Sequence, residues 1–133
     1  MSALSVFDIA GRAMAAQLVR LNTTASNLAN VGSVSGSAAT AYRALKPVFA
    51  TAYDGAARAT VDVERMATTT AVPERRHDPT HPLADADGNV WVAAVDPNQE
   101  LVEMMETARQ YANDVEVMAA AKALMLDTLR LGK

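Results

Sequence analysis

The sequence predicts an α+β fold: long N- and C-terminal helices packing as an antiparallel coiled-coil-like pair, with a small β-rich insert between them. Two observations carry that expectation. Aliphatic and methionine residues crowd the two ends of the 133-residue chain, where they recur at steps of three and four. The middle is richer in Pro, Thr, Asp and Arg and holds short runs that alternate as strands do. The expected divisions are an N-terminal helix over 1–30, an insert over 31–95 and a C-terminal helix over 96–133.

In the first segment Leu4, Phe7, Gly11, Met14, Leu18, Leu21, Ala25 and Leu28 form one seam, with Asp8, Arg12, Arg20, Asn22 and Ser26 on the opposite face. The helix should end near Asn30, where Val31-Gly32-Ser33 begins a breaker run. In the insert, Tyr42 to Tyr53 is extended but Pro47 makes it an edge strand or a broken one. Thr60 to Glu64 alternates apolar and acidic, Pro73 to Pro82 reads as a loop, and Asp87-Gly88-Asn89 turns into the strand Val90 to Val95.

Asp96 is the expected N-cap of the last helix, with Pro97 in the first turn and Gln99 as capping-box partner. The predicted seam runs Leu101, Met104, Ala108, Tyr111, Val115, Met118, Lys122, Met125, Leu129, and Gly132 supplies the stop. Met105, Ala112, Ala119 and Leu126 form a second stripe; Val117, Ala121, Leu124 and Leu131 form a third. A helix apolar on most of its circumference is normally surrounded by other helices. One partner is expected to be the N-terminal helix and the others to come from other chains.

A net charge of −3 with mixed signs and 5% aromatic residues argues against nucleic-acid binding. Cysteine is absent, which removes disulfides and thiol chemistry. The first twenty residues, interrupted by Asp8 and Arg12, read as neither a secretory signal nor a membrane span. His77 and His81 would share one helix face, but Pro79 and Pro82 forbid a helix there, so no metal is expected. Asp85 to Asn89 resembles the start of a calcium loop without its closing acid, and a turn explains it. No phosphate loop, nucleophile elbow or carboxylate pair is legible, so neither catalysis nor a cofactor is expected. The methionines fit two readings, an adaptable surface for several neighbours or an ordinary core.

Ser26-Asn27-Leu28-Ala29-Asn30 places two asparagines on one face at the end of an apolar helix. Their amides suit backbone groups of their own loop or of an adjacent subunit; a polar cap is the simpler alternative. The stretch Leu21 to Asn30 also resembles the N-terminal signature of flagellar rod, hook and related axial proteins. Phe7 to Gly11, His81 to Gly88, and Val115 to Met118 with Leu129 to Gly132 are similar to the FlgC-type proximal rod family. That resemblance implies a structural subunit of the flagellar basal body, exported through the flagellar type III apparatus without a cleaved signal peptide and assembled in the periplasmic rod. Implied partners are copies of itself, other proximal and distal rod proteins and the rod-to-ring adaptor, with no direct membrane insertion. The candidate assembly surface is Phe7, Met14, Leu18, Leu21, Asn27, Leu28 and Asn30 with Leu101, Met104, Tyr111, Val115, Met118, Met125 and Leu129. A helical adaptor or secretion chaperone acting as a free small oligomer is the alternative, and a small hydrolase or metal enzyme ranks third.

Overall fold

The computed structural model describes residues 3–53 and 59–132, and side chains from residue 5 onward, so the Leu4 seam position lies outside the described residues. Helix α1 spans Ala3–Ala29 and helix α2 spans Pro97–Leu131. Between them come β1 (Val34–Ser35), β2 (Leu45–Tyr53), β3 (Ala59–Thr68), β4 (Glu74–His77) and β5 (Asn89–Val92).

Both helix boundaries follow from local chemistry. At the end of α1, Val31 donates to the Leu28 carbonyl at 3.1 Å and Ser33 to the Asn30 carbonyl at 3.1 Å. Gly32 between them sits at φ +75, the left-handed conformation that ends helices. The Asp96 carboxylate accepts the backbone N–H groups of Asn98 at 2.9 Å and Gln99 at 3.3 Å, satisfying donors that the first turn of α2 leaves open. Pro97 opens the helix at the position where its missing N–H costs nothing.

The insert forms two sheets. One is three-stranded and antiparallel in the order β1-β5-β4, and the other pairs β2 with β3. Pro47 lies in β2, in a sheet where both strands are edges, which is where proline is tolerated. Two short strands depart from the sequence reading. Glu74–His77, expected as loop, pairs along its length with β5, from Glu74 opposite Val92 to His77 opposite Asn89. All four of its side chains are exposed, so no apolar alternation marked it, and backbone pairing together with a 3.3 Å hydrogen bond between His77 Nδ1 and Asn89 Oδ1 holds it in the sheet. Val34–Ser35 joins β5 from the other edge; its two residues are half-buried and too few to show an alternation. In turn β5 stops at Val92, and beyond it Ala93 donates to the Ser33 carbonyl at 2.9 Å while Ala94 forms a parallel bridge with Arg43, donating to the Tyr42 carbonyl at 2.8 Å and accepting from Ala44 N–H at 3.3 Å.

The described chain gathers into two compact units. The first takes α1 up to Leu21, Pro47–Arg65 and α2 from Met105 onward, and the second takes Asn22–Lys46 and Met66–Met104. In the first, Gln17 and Arg20 of α1 hydrogen-bond Gln110 of α2. In the second, Asn27 of α1 hydrogen-bonds Glu100 of α2. Each unit thus brings one end of α1 beside the opposite end of α2, the antiparallel pairing expected. The core of the second unit is built on Ala41, Ala44, Val90, Ala93 and Ala94, with Val90 of the central strand fully enclosed.

The turn before β5 is held by Asp85, whose carboxylate accepts Asp87 N–H at 3.0 Å and Asn89 N–H at 2.8 Å. Gly88 in that turn sits at φ +73, and a Cβ there would lie 2.9 Å from the Pro79 Cβ. Gly88→Ala is therefore expected to destabilise the chain by about 1–3 kcal/mol. Urea denaturation of the purified protein followed by circular dichroism checks this, and an unchanged midpoint would contradict it.

Candidate assembly surface

Asn27 is the most fully bonded side chain described. It is 1% exposed, and its amide uses its whole hydrogen-bonding capacity. Nδ2 donates to the Leu45 carbonyl at 2.8 Å and to a Glu100 carboxylate oxygen at 3.0 Å. Oδ1 accepts the Tyr42 hydroxyl at 2.9 Å and the Leu45 N–H at 2.9 Å. Both of its backbone contacts are to Leu45, the first residue of β2, so the asparagine fixes where that strand leaves the loop. Asn30, in contrast, caps its own helix by donating to the Ser26 carbonyl at 2.8 Å. Of the readings left open for this pair, Asn27 shows the bonds to backbone groups of its own chain and Asn30 shows the polar cap.

The face that α2 turns toward its own chain is a single strip. Glu100, Met104, Thr107, Tyr111, Asp114, Met118, Ala121 and Met125 are buried or half-buried, at alternating steps of four and three, and apart from Glu103 the remaining described positions from Leu101 to Gly132 are exposed. Met104, Tyr111, Met118 and Met125 were in the predicted seam. Its other members, Leu101, Ala108, Val115, Lys122 and Leu129, are exposed and stand one residue after Glu100, Thr107, Asp114, Ala121 and Thr128. Ala121, expected on an outer stripe, belongs to the inner strip.

Helix α1 shows the same inversion. Its buried positions are Ser5, Ala10, Ala16, Thr23, Thr24 and Asn27, whereas Leu18 and Val19 are exposed. Phe7, Met14, Leu21 and Leu28 are half-buried, as is Arg20, whose guanidinium reaches Gln110 rather than standing on a wet face. Hydrophobicity alone selects Leu101, Val115 and Leu129, and here the chain instead buries or half-buries Glu100, Asp114 and, in α1, Ala16, Thr23, Thr24 and Asn27. Small side chains let helices approach closely, and Asn27 finds a partner across the pair in Glu100.

Large apolar side chains stand on the outward surface that results. Leu101 is 50% exposed, Val115 42%, Leu129 62% and Leu131 89%, and Val102, Met105, Val117, Leu124 and Leu126 are also exposed. Of the candidate assembly residues, Leu18, Leu101, Val115 and Leu129 are thus open to a neighbour, and Asn27 is occupied within the chain. Among the described residues no group of three or more His, Cys, Asp or Glu is placed to hold a metal ion, and no helix is long and apolar enough to cross a membrane.

Paired terminal helices around a β insert, with the large apolar side chains facing out, are the architecture of a subunit that completes its burial in an assembly, and the comparisons identify the class as flagellar basal-body rod proteins. The family described as "Flagella basal body rod protein" matches residues 7–41, and "Flagellar basal body rod FlgEFG protein C-terminal" matches residues 86–131. The chain is 43% identical to the flagellar basal-body rod protein FlgC of Salmonella typhimurium strain LT2 and 44% identical to that of Escherichia coli O157:H7, over the full length of both partners in each case. It is 31% identical to the FlgC of Aquifex aeolicus, covering all of this chain and 99% of that one. The chain belongs to the FlgC family of flagellar basal-body rod proteins.

Two expectations follow for stability. Asn27→Ala removes four hydrogen bonds from an enclosed site and should cost at least about 3 kcal/mol. Asn27→Asp should be no better at neutral pH, because it sets a second carboxylate against Glu100. Denaturant titration of both variants checks this. Asp114, on the inner strip, has its pKa raised above the ordinary 3.8 by desolvation. The folded state thus holds the proton more tightly than the unfolded one, so the group costs nothing below about pH 3.8 and its penalty develops as pH rises through the raised pKa. Asp114→Asn should then raise the Tm slightly at pH 7 and leave it unchanged at pH 3, as differential scanning calorimetry can measure.

Proposed function

We propose that this chain is a structural subunit of the proximal rod of the flagellar basal body, assembling through the outward faces of its two long helices to transmit torque. The observation that carries the mechanism is the exposure of Leu101, Val115, Leu124, Leu126 and Leu129 along a helix that covers only one strip of itself. Each fully buried Leu or Val side chain contributes about 1.5–3 kcal/mol, so burying several at a contact offsets the cost of association. Interdigitated side chains do not slide by fractions of a turn, and that supplies torsional stiffness. The role is mechanical, with no reaction to catalyse.

In this reading the partners are copies of the chain itself, the other proximal and distal rod proteins and the adaptor joining rod to ring. The chain reaches the periplasm through the flagellar type III apparatus rather than by a cleaved leader. Membership of the rod family supports the first part, and the outward stripes of both helices support contact with several neighbours at once. A free helical adaptor would instead bury those stripes in a small closed oligomer.

Val115→Asp and Leu129→Asp test the assembly faces. Both sites are exposed, so the purified variants should melt within about 0.5 kcal/mol of the parent. A carboxylate in a packed contact lacks a partner, so strains carrying them should export the protein yet build no rod and fail to swim. Met118→Asp, on the inner strip, should lose stability as well. Normal swimming by the Val115 and Leu129 variants would count against these faces.

A further inference from the structure

In the first unit, α1, α2 and the β2–β3 sheet enclose an open pocket of about 250 Å³. Its walls are apolar, from Ala13, Ala16, Phe49 and Val61, and its polar end is formed by Gln17, Gln110, Asn113 and Asp114. At roughly eight times the ~30 Å³ share of one water, it has room for one long side chain and none for a helix.

The polar end carries a surplus of acceptors. The Arg20 guanidinium donates to Gln110 Oε1 at 3.1 Å, which fixes the orientation of that amide. Gln17 Nε2 donates to the same oxygen at 3.0 Å, which fixes the second amide in turn. Turning the Gln17 amide over would set its oxygen against Gln110 Oε1. Gln17 Oε1 is consequently buried with no donor. The Asp114 carboxylate, on the same wall, makes no hydrogen bond or ion pair among the described residues. A buried acceptor and a partly desolvated carboxylate, both without donors, are unfavourable unless something supplies N–H groups.

We infer that this pocket receives an arginine side chain from a neighbouring subunit of the rod, its guanidinium donating to Gln17 Oε1 and the Asp114 carboxylate. An aliphatic stem suits the alanine wall, and a planar cation with several donors stacks on an aromatic face such as Phe49 and is less strongly hydrated than an ammonium. An acidic partner would be repelled by Asp114, and an apolar one would leave both acceptors unmatched. The inference rests on the rod reading and names one contact within it.

The test compares Asp114→Asn, Asp114→Leu and Asp114→Arg in a strain lacking the wild-type gene, with completed rods counted by electron microscopy and each purified variant melted at pH 7. Asp114→Asn and Asp114→Leu should melt no lower than the parent yet give at least about tenfold fewer completed rods. Stability and assembly moving in opposite directions is a signature that a purely structural residue does not give. Motile revertants of Asp114→Arg should replace an arginine with an acidic residue on a rod subunit surface. Wild-type rod counts with Asp114→Leu, loss of rods in proportion to lost melting temperature, or revertants confined to neutral changes within the pocket would each overturn the contact and leave water as the occupant. A gene deletion that still swims would sink the rod reading itself; a non-motile deletion fully rescued by Asp114→Leu would sink this contact alone.

Discussion

One asparagine amide at full bonding capacity sets the geometry of the second unit. Asn27 binds Tyr42, both polar groups of Leu45, and Glu100 in the first turn of α2. These bonds have direction, whereas apolar contact does not. Turning either helix there would break bonds that no water replaces in an enclosed site. The rotation of the first turn of α2 in this unit is fixed with them, so that Glu100 is hidden and Leu101 is not.

The strip that α2 hides explains how a chain can fold and still remain unfinished. The paired helices meet partly through polar groups: Asn27 with Glu100 in the second unit, and Gln17 and Arg20 with Gln110 in the first. With Glu100, Thr107, Asp114 and Ala121 on the hidden strip beside Met104, Tyr111, Met118 and Met125, the Leu and Val side chains of α2 stand outside. Asp114 fits the same division, since a half-buried carboxylate on the inner strip lowers the stability of the single chain at neutral pH. Surrendering stability at sites reserved for partners is a common exchange in proteins selected for assembly.

Much of this was legible from the amino-acid order. The Asp96-Pro97 start, the breaker at Val31-Gly32-Ser33, the strand around Val90 and the helix lengths all rest on local chemistry, which operates within a few residues. The rotational setting of α2 was not legible. Leu101 and Val115 outrank Glu100 and Asp114 on any hydrophobic scale, and only the distant partner Asn27 makes burial of Glu100 favourable. β4 escaped for a related reason, because Glu74–His77 presents four wet side chains and its membership depends on the backbone of a strand that follows it in sequence. Asn27 itself was singled out, but the choice between its own chain and a neighbour depended on Tyr42 and Leu45 converging with Glu100 from two separate segments.

The one-residue offset between the hidden and the outward strips of α2 has an evolutionary corollary. Hidden and open positions stand on adjacent letters of the same helix with the same seven-step beat, Glu100, Thr107 and Ala121 in one set and Leu101, Val115 and Leu129 in the other. A lineage can therefore vary the open set without disturbing its own architecture, and change at one set of letters need not be answered at the other.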